Sequence, residues 1–224
     1  MKNSVLKRLS LTVTIIAIVN LIASFIFIFT LPDTVPTHFN ISLVCDNVGS
    51  KWSGIIVPVI IAMVFPLCML FEGKGKNSEI NPKPLAIIIV FAEIMITTLC
   101  WFLLLAMKSG VTIGDRIPFN LEFLITLTIN LMFVVIGNYL PTVRQNKTLG
   151  IKIPWTLKNE KCWDATHRFS GKVWVIIGII MLITAFTIKL SGTTSFIPYI
   201  ILLLATPLIS VIIPTIYAYN HRND

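Results

Sequence analysis

Six apolar stretches separated by polar segments set the pattern of this chain: residues 9–31, 54–71, 85–107, 119–140, 173–188 and 196–219. Crossing the hydrocarbon of a bilayer takes about 20 residues of helix, and each stretch approaches or reaches that length. Hydrocarbon offers the backbone no hydrogen-bond partner, so continuous runs of this kind close their own bonds as α-helices. Strands of a membrane barrel would alternate over about ten residues instead. The pattern therefore predicts an all-α polytopic membrane protein with six transmembrane helices. Connections are short except at residues 32–53 and 141–172. Pro58 and Pro66 in the second stretch, with Pro207 and Pro214 in the sixth, remove backbone donors and are expected to kink or open those helices.

The longer connection has a periodicity of its own. Pro141, Gly150 and Pro154 predict turns or extended backbone in its first part. Thr156 is then placed to cap a helix beginning near Leu157. At about 100° per residue, Trp163, His167, Ser170 and Trp174 share one face, and Lys158, Lys161, Arg168 and Lys172 share the opposite one. That division predicts an amphipathic interfacial helix before the fifth span. Its indoles would lie at headgroup level or against the bundle, and its cationic groups would reach phosphates or a cytosolic partner.

Composition agrees with the pattern and adds an orientation. Of 224 residues, 55% are hydrophobic and 12% charged, with a mean hydropathy of +0.86; soluble domains carry about 25% charged residues. Basic residues resist translocation, and fourteen of the eighteen Lys and Arg fall in the N-terminal flank, the 72–84 connection, the 141–172 connection and the C-terminal flank. Both termini and the 141–172 segment are therefore expected in the cytoplasm, and residues 32–53 outside. The net charge of +8 is a topology signal of the kind that meets anionic headgroups, and no direct nucleic-acid binding is expected. Cys45, Cys68, Cys100 and Cys162 have no C-x-x-C spacing, so neither a disulfide framework nor a zinc site is indicated.

Few residues stand out for chemistry. Glu93 lies inside the third stretch, where an unpaired carboxylate costs at least about 3 kcal/mol on insertion scales. It is either an ion or proton site or a carboxyl satisfied by Thr97, Asn130 or another bundle residue. Asn20, Asn130 and Asn138 read as interhelical hydrogen-bond partners. His38 shares the outward loop with Asp33 and Asp46 at a spacing that matches no standard metal site, and His167 reads as a packed imidazole. No nucleophile elbow, Walker loop or H-E-x-x-H occurs. Catalysis, cofactor and metal are not expected.

The polar segment carries a motif. Gly137-Asn138, Asn146, Gly150-Ile-Lys-Ile-Pro154-Trp155-Thr156-Leu157, Glu160, Trp163 and His167-Arg168-Phe-Ser-Gly-Lys172 resemble the signature of the SdpI family of bacterial membrane proteins. Lys152 stands where the signature commonly has arginine. Leu31-Pro32-Asp-Thr-Val-Pro36-Thr-His38-Phe-Asn40, with Gly49-Ser-Lys51, is similar to a short domain of unknown function often found ahead of that signature. The two likenesses divide the chain into an N-terminal region, 1–84, and an SdpI-like region, 85–224. The resemblance implies a plasma-membrane protein that protects the cell against a secreted, membrane-active peptide toxin. It also implies a receptor holding a cytosolic DNA-binding repressor at the membrane. The alternative, from another class, is a small proton- or ion-coupled transporter or channel built on Glu93 and the proline-broken helices.

Overall fold

The computed structural model describes residues 2–40, 42–72, 82–117, 120–146, 149–193 and 195–223, with side chains from residue 7 onward apart from those of 68–72 and 82–86. In chain order it contains α1 (Lys2–Ile28), β1 (Thr34–Phe39), β2 (Cys45–Ser50), a 3-10 helix (Lys51–Ile55), α2 (Ile56–Glu72), α3 (Pro82–Lys108), α4 (Leu121–Tyr139), a 3-10 turn (Leu140–Thr142), α5 (Pro154–Lys158), α6 (Glu160–Leu190) and α7 (Ile197–Asn220). Among the described residues, α1, α3, α4, α6 and α7 are long and apolar enough to cross a membrane. The second predicted span is α2, a shorter apolar helix of 17 residues entered through the 3-10 turns. Pro66 lies inside α2, and Pro207 and Pro214 lie inside α7. Pro58 falls in the first turn of α2, where a missing amide hydrogen costs least.

The chain forms two compact units. The first comprises residues 3–74 and 90–124, the second 75–89 and 125–224.

In the first unit, α1 and α3 run parallel. Trp101 Nε1–H donates to Asn20 Oδ1 at 3.0 Å, and ten residues further along α1 Lys108 Nζ donates to Thr30 Oγ1 at 3.3 Å. Ala17, Ile28, Leu31, Val35, Ile61, Cys100 and Leu104 make the core of this unit. Residues 32–53, expected as an irregular loop, instead form an antiparallel β-hairpin, with Thr34 opposite Ser50 and Phe39 opposite Cys45. The sequence hides it because Pro36 interrupts TVPTHF and CDNVGS has a single β-branched residue. A third segment secures it from outside: Cys45 N–H donates to Asp115 O at 2.8 Å, and Ile117 N–H to Leu43 O at 3.0 Å.

In the second unit, α4 and α6 pack antiparallel at backbone contact. A Cβ on Gly137 would come within 3.0 Å of the Gly171 carbonyl oxygen, and one on Gly178 within 3.0 Å of the Asn130 carbonyl oxygen. Helices in lipid associate through such small-residue seams, where close approach maximises dispersion contact. α7 lies antiparallel to α6. Trp174 Nε1–H donates to Ser210 O at 2.8 Å, and Cys162 Sγ lies 3.6 Å from Ala218 O. Thr206 Oγ1 donates to Asn130 Oδ1 at 2.9 Å, tying α7 to α4.

One expectation about the polar segment needs correction. The amphipathic stretch runs on into the fifth span as one continuous helix of 31 residues, α6, whose first turns are the amphipathic part. Its start is capped by Asn159, whose Oδ1 accepts from the amides of Lys161 at 2.9 Å and Cys162 at 3.2 Å. Thr156 sits instead within α5 with its hydroxyl turned back on the preceding loop. A one-turn helix ahead of the cap is invisible to periodicity, which needs several turns to register.

Candidate functional site

The family-type motif of the polar segment folds into a clasp on the first turns of α6. Trp163, fully buried, donates from Nε1 to the Val143 carbonyl at 2.7 Å and stacks on His167 with ring centroids 4.0 Å apart. His167, also fully buried, uses both ring nitrogens. Ile151 N–H donates to Nε2 at 3.0 Å, so Nε2 is the acceptor; Nδ1 carries the proton and donates to the Trp163 carbonyl at 2.8 Å. This fixes one neutral tautomer. Gly150 has φ +121°, and a Cβ there would strike His167 Nε2 and come within 2.9 Å of the Trp163 ring. Only glycine permits both the backbone angle and the approach.

Further bonds fix the loop. Thr156 Oγ1 donates to the Ile151 carbonyl at 2.6 Å and accepts from Ile153 N–H at 3.1 Å. Gln145 Nε2 donates to the Thr156 carbonyl at 2.7 Å. Asn146 closes its own turn, donating to the carbonyls of Arg144 and Leu149 and accepting from Leu149 N–H at 2.7 Å. Pro154 opens α5, and Trp155 packs edge-on against Tyr219 of α7 at 5.3 Å. Most of the motif therefore supports itself. Two of its residues do not join the network: Asn138 is exposed on the last turn of α4, and Arg168 points outward. Beside Arg168, the residues Pro141, Thr142, Val143, Arg144 and Asp164 line a polar cleft of about 340 Å³.

The second motif builds the hairpin. Asn40 Oδ1 accepts from the amides of Ser42 at 2.9 Å and Val44 at 3.1 Å, which holds Leu43 at a φ of 57°, an angle uncommon for a residue with a side chain. Lys51 latches the base: its ammonium lies 2.9 Å from the Asp33 carboxylate, and its amide donates to the Asp33 carbonyl at 3.1 Å. Lys51 beside it holds the Asp33 carboxyl below its ordinary range. Pro36 is buried, Pro32 is exposed before β1, and Gly49 sits on β2 with Thr37 closely opposite. His38 Nδ1 donates to the Asp46 carboxylate at 2.6 Å. Beneath this hairpin is a largely apolar cavity of about 450 Å³, whose wall includes Pro36, His38, Gly54, Val57, Leu104 and Leu121.

Residues 142–218, which hold the clasp and α7, match the model of the SdpI/YfhL protein family. Residues 15–63, which hold α1, the hairpin and the start of α2, match a domain of unknown function, DUF1648. Over 207 residues, 92% of each chain, the sequence is 23% identical to "Immunity protein SdpI" of Bacillus subtilis (strain 168). These likenesses relate the chain to the SdpI/YfhL family. It is a multi-pass bacterial membrane protein. No solved structure matches it.

The two matched regions fall in different compact units, one carrying the hairpin and the other the clasp. Glu93 lies in the first. It is fully buried, and among the described residues neither carboxylate oxygen has a hydrogen-bond partner. Thr97 Oγ1, one turn along α3, and Asn20 Nδ2 are likewise buried without partners. Asn130, weighed as a partner for Glu93, is committed to Thr206 and to the Thr126 carbonyl. Among the described residues no group of three His, Cys, Asp or Glu converges as a metal site. Reasoning from the sequence missed Val143 and Gln145 as clasp members. Val143 enters only through its backbone carbonyl, which leaves no residue-type signal.

Proposed function

We propose that this protein is an immunity protein that protects the cell producing it from a secreted, membrane-active peptide toxin. The observation that carries the reading is the likeness to Immunity protein SdpI over 92% of both chains, hairpin and clasp included. In this reading the hairpin and its cavity face outward to meet the toxin, and the clasp lies at the cytoplasmic surface. The division of labour follows the regions 1–84 and 85–224. A cytosolic DNA-binding repressor would dock on the clasp side and be held at the membrane when toxin is bound. Trp163 is fully buried, so such docking falls to the exposed Lys158 and Lys161.

In this reading the chain crosses six times and both termini lie in the cytoplasm. α1 and α3 run parallel, so a chain that crosses in α1 must cross back before α3, and α2 is the element between them. With its 3-10 entry it is about 35 Å long at 1.5 and 2.0 Å per residue, enough for the hydrocarbon. Any relay between the faces requires the toxin to prefer one of two arrangements of the bundle, since equal affinity for both shifts nothing.

Deleting the gene in its native host and challenging with the secreted peptides of that host tests the reading. Survival should fall on deletion and return on re-expression; deletion with no change in survival against any such peptide would reject it. One observation favours a second reading, an ion-coupled carrier: a buried carboxylate without a partner inside a span is costly and marks ion pathways by default. Proton flux in proteoliposomes that is abolished by Glu93→Gln would move the function to that class.

A further inference from the structure

The polar cleft of the second unit has the chemistry and the depth of a lipid headgroup site. Arg144 lies just past the 3-10 turn that follows α4, and Arg168 projects from the third turn of α6. Among the described residues neither guanidinium reaches a carboxylate within ion-pair distance. Asp164, one turn before Arg168, stands on the same cleft wall, with Thr142 beside it. Two guanidiniums and one carboxylate leave a single positive charge, the complement of a phosphodiester. Arginine supplies planar forked donors suited to phosphate oxygens.

The depth follows from α6 itself. The charged residues of its first turns end at Lys172, and its lipid-type exposed apolar face begins at Ile176. Arg168 is thus about 7 Å outside the edge of the apolar run near Val173, at 1.5 Å per residue. The headgroup layer on each side of a bilayer is roughly 5–8 Å thick. On the α4 side, Arg144 follows directly after the helix that crosses. A soluble partner reaching this cleft would have to displace lipid, whereas a phospholipid is already there.

We infer that Arg144, Arg168 and Asp164 form a specific site for a glycerophospholipid whose headgroup ends in a hydrogen-bond donor. The two guanidiniums hold the phosphodiester, and Asp164 accepts from the terminal hydroxyl or ammonium. Phosphatidylglycerol and phosphatidylethanolamine satisfy that description; phosphatidylcholine, with a quaternary ammonium, has no such donor. The bound lipid would pin the loop after α4 against α6. The site concerns membrane placement only and stands independently of the toxin reading.

Native mass spectrometry of the purified full-length protein, titrated separately with these three lipids, tests the site. The wild type should retain one phosphatidylglycerol or phosphatidylethanolamine at about tenfold lower concentration than phosphatidylcholine, the difference expected from the one charge-assisted hydrogen bond to Asp164 that phosphatidylcholine cannot make. Arg144→Gln with Arg168→Gln should remove that retention, Arg168→Lys should weaken it in part, and Asp164→Ala, which leaves no acceptor, should erase the discrimination against phosphatidylcholine. All three side chains are exposed, so thermal unfolding without added lipid should match the wild type, which separates loss of binding from loss of fold. Equal retention of the three lipids by the wild type, or an unaltered preference in the double arginine variant, would overturn the assignment. So would displacement of the bound lipid by low millimolar inorganic phosphate, which would make the free anion the ligand.

Discussion

At the scale of single residues, the chain spends its most specific side chains on holding backbone in place. Trp163, His167, Thr156, Asn146 and Asn40 all bond to main-chain groups. Such bonds are worth about 1 kcal/mol each, yet leaving a buried partner unsatisfied costs about 1–3 kcal/mol. Gly150 is the point where this scaffolding is least tolerant. Gly150→Ala combines a strained φ with a collision on two buried rings, and should cost several kcal/mol, on the order of 3 or more. Gly114 has a comparable φ of +96° but open space around it, so Gly114→Ala should cost only the backbone strain, about 1 kcal/mol. Thermal unfolding of the two variants in detergent measures the difference. The importance of Gly150 was legible from its motif, but the reason was not, because the ring that occupies its missing Cβ lies sixteen or so residues away along the chain.

At the scale of elements, the helices were readable and the hairpin was not. Hydrocarbon imposes a length and a composition on every span, so the observed α3, α4 and α7 fall within about three residues of the apolar stretches at each end. The hairpin depends instead on Asn40 turning the chain, Lys51 closing the base and the 112–117 segment bonding along β2. None of these leaves a period-two pattern. α6 began thirteen residues before its apolar run because polar residues continue a helix as readily as apolar ones once Asn159 has capped it. Asn159→Ala should therefore lower stability by about 1 kcal/mol, visible as a lower unfolding temperature with unchanged apolar packing. At the hairpin base, Lys51 holds the Asp33 carboxyl below its ordinary range. Its contribution is then full above the unfolded carboxyl value near pH 3.9 and is lost as pH falls through the lower folded value. Amide exchange at Lys51 should stay protected to pH values below the ordinary carboxyl range, and Asp33→Asn should abolish that pH dependence.

At the scale of the whole molecule, function rests on which face of the membrane each unit presents. The proposed function sets the hairpin outside and the clasp inside. Of the four cysteines, Cys45, Cys100 and Cys162 are buried, and the parent chain sets the labelling background for the fourth, Cys68. The decisive measurement is labelling of intact cells with a membrane-impermeant maleimide, comparing Asp46→Cys on the hairpin with Lys158→Cys beside the clasp, each against the parent chain. The hairpin thiol should react from the medium and the clasp thiol only after the cells are opened. Reaction of Lys158→Cys in intact cells, with Asp46→Cys silent, would contradict the arrangement on which toxin sensing and cytosolic relay both depend.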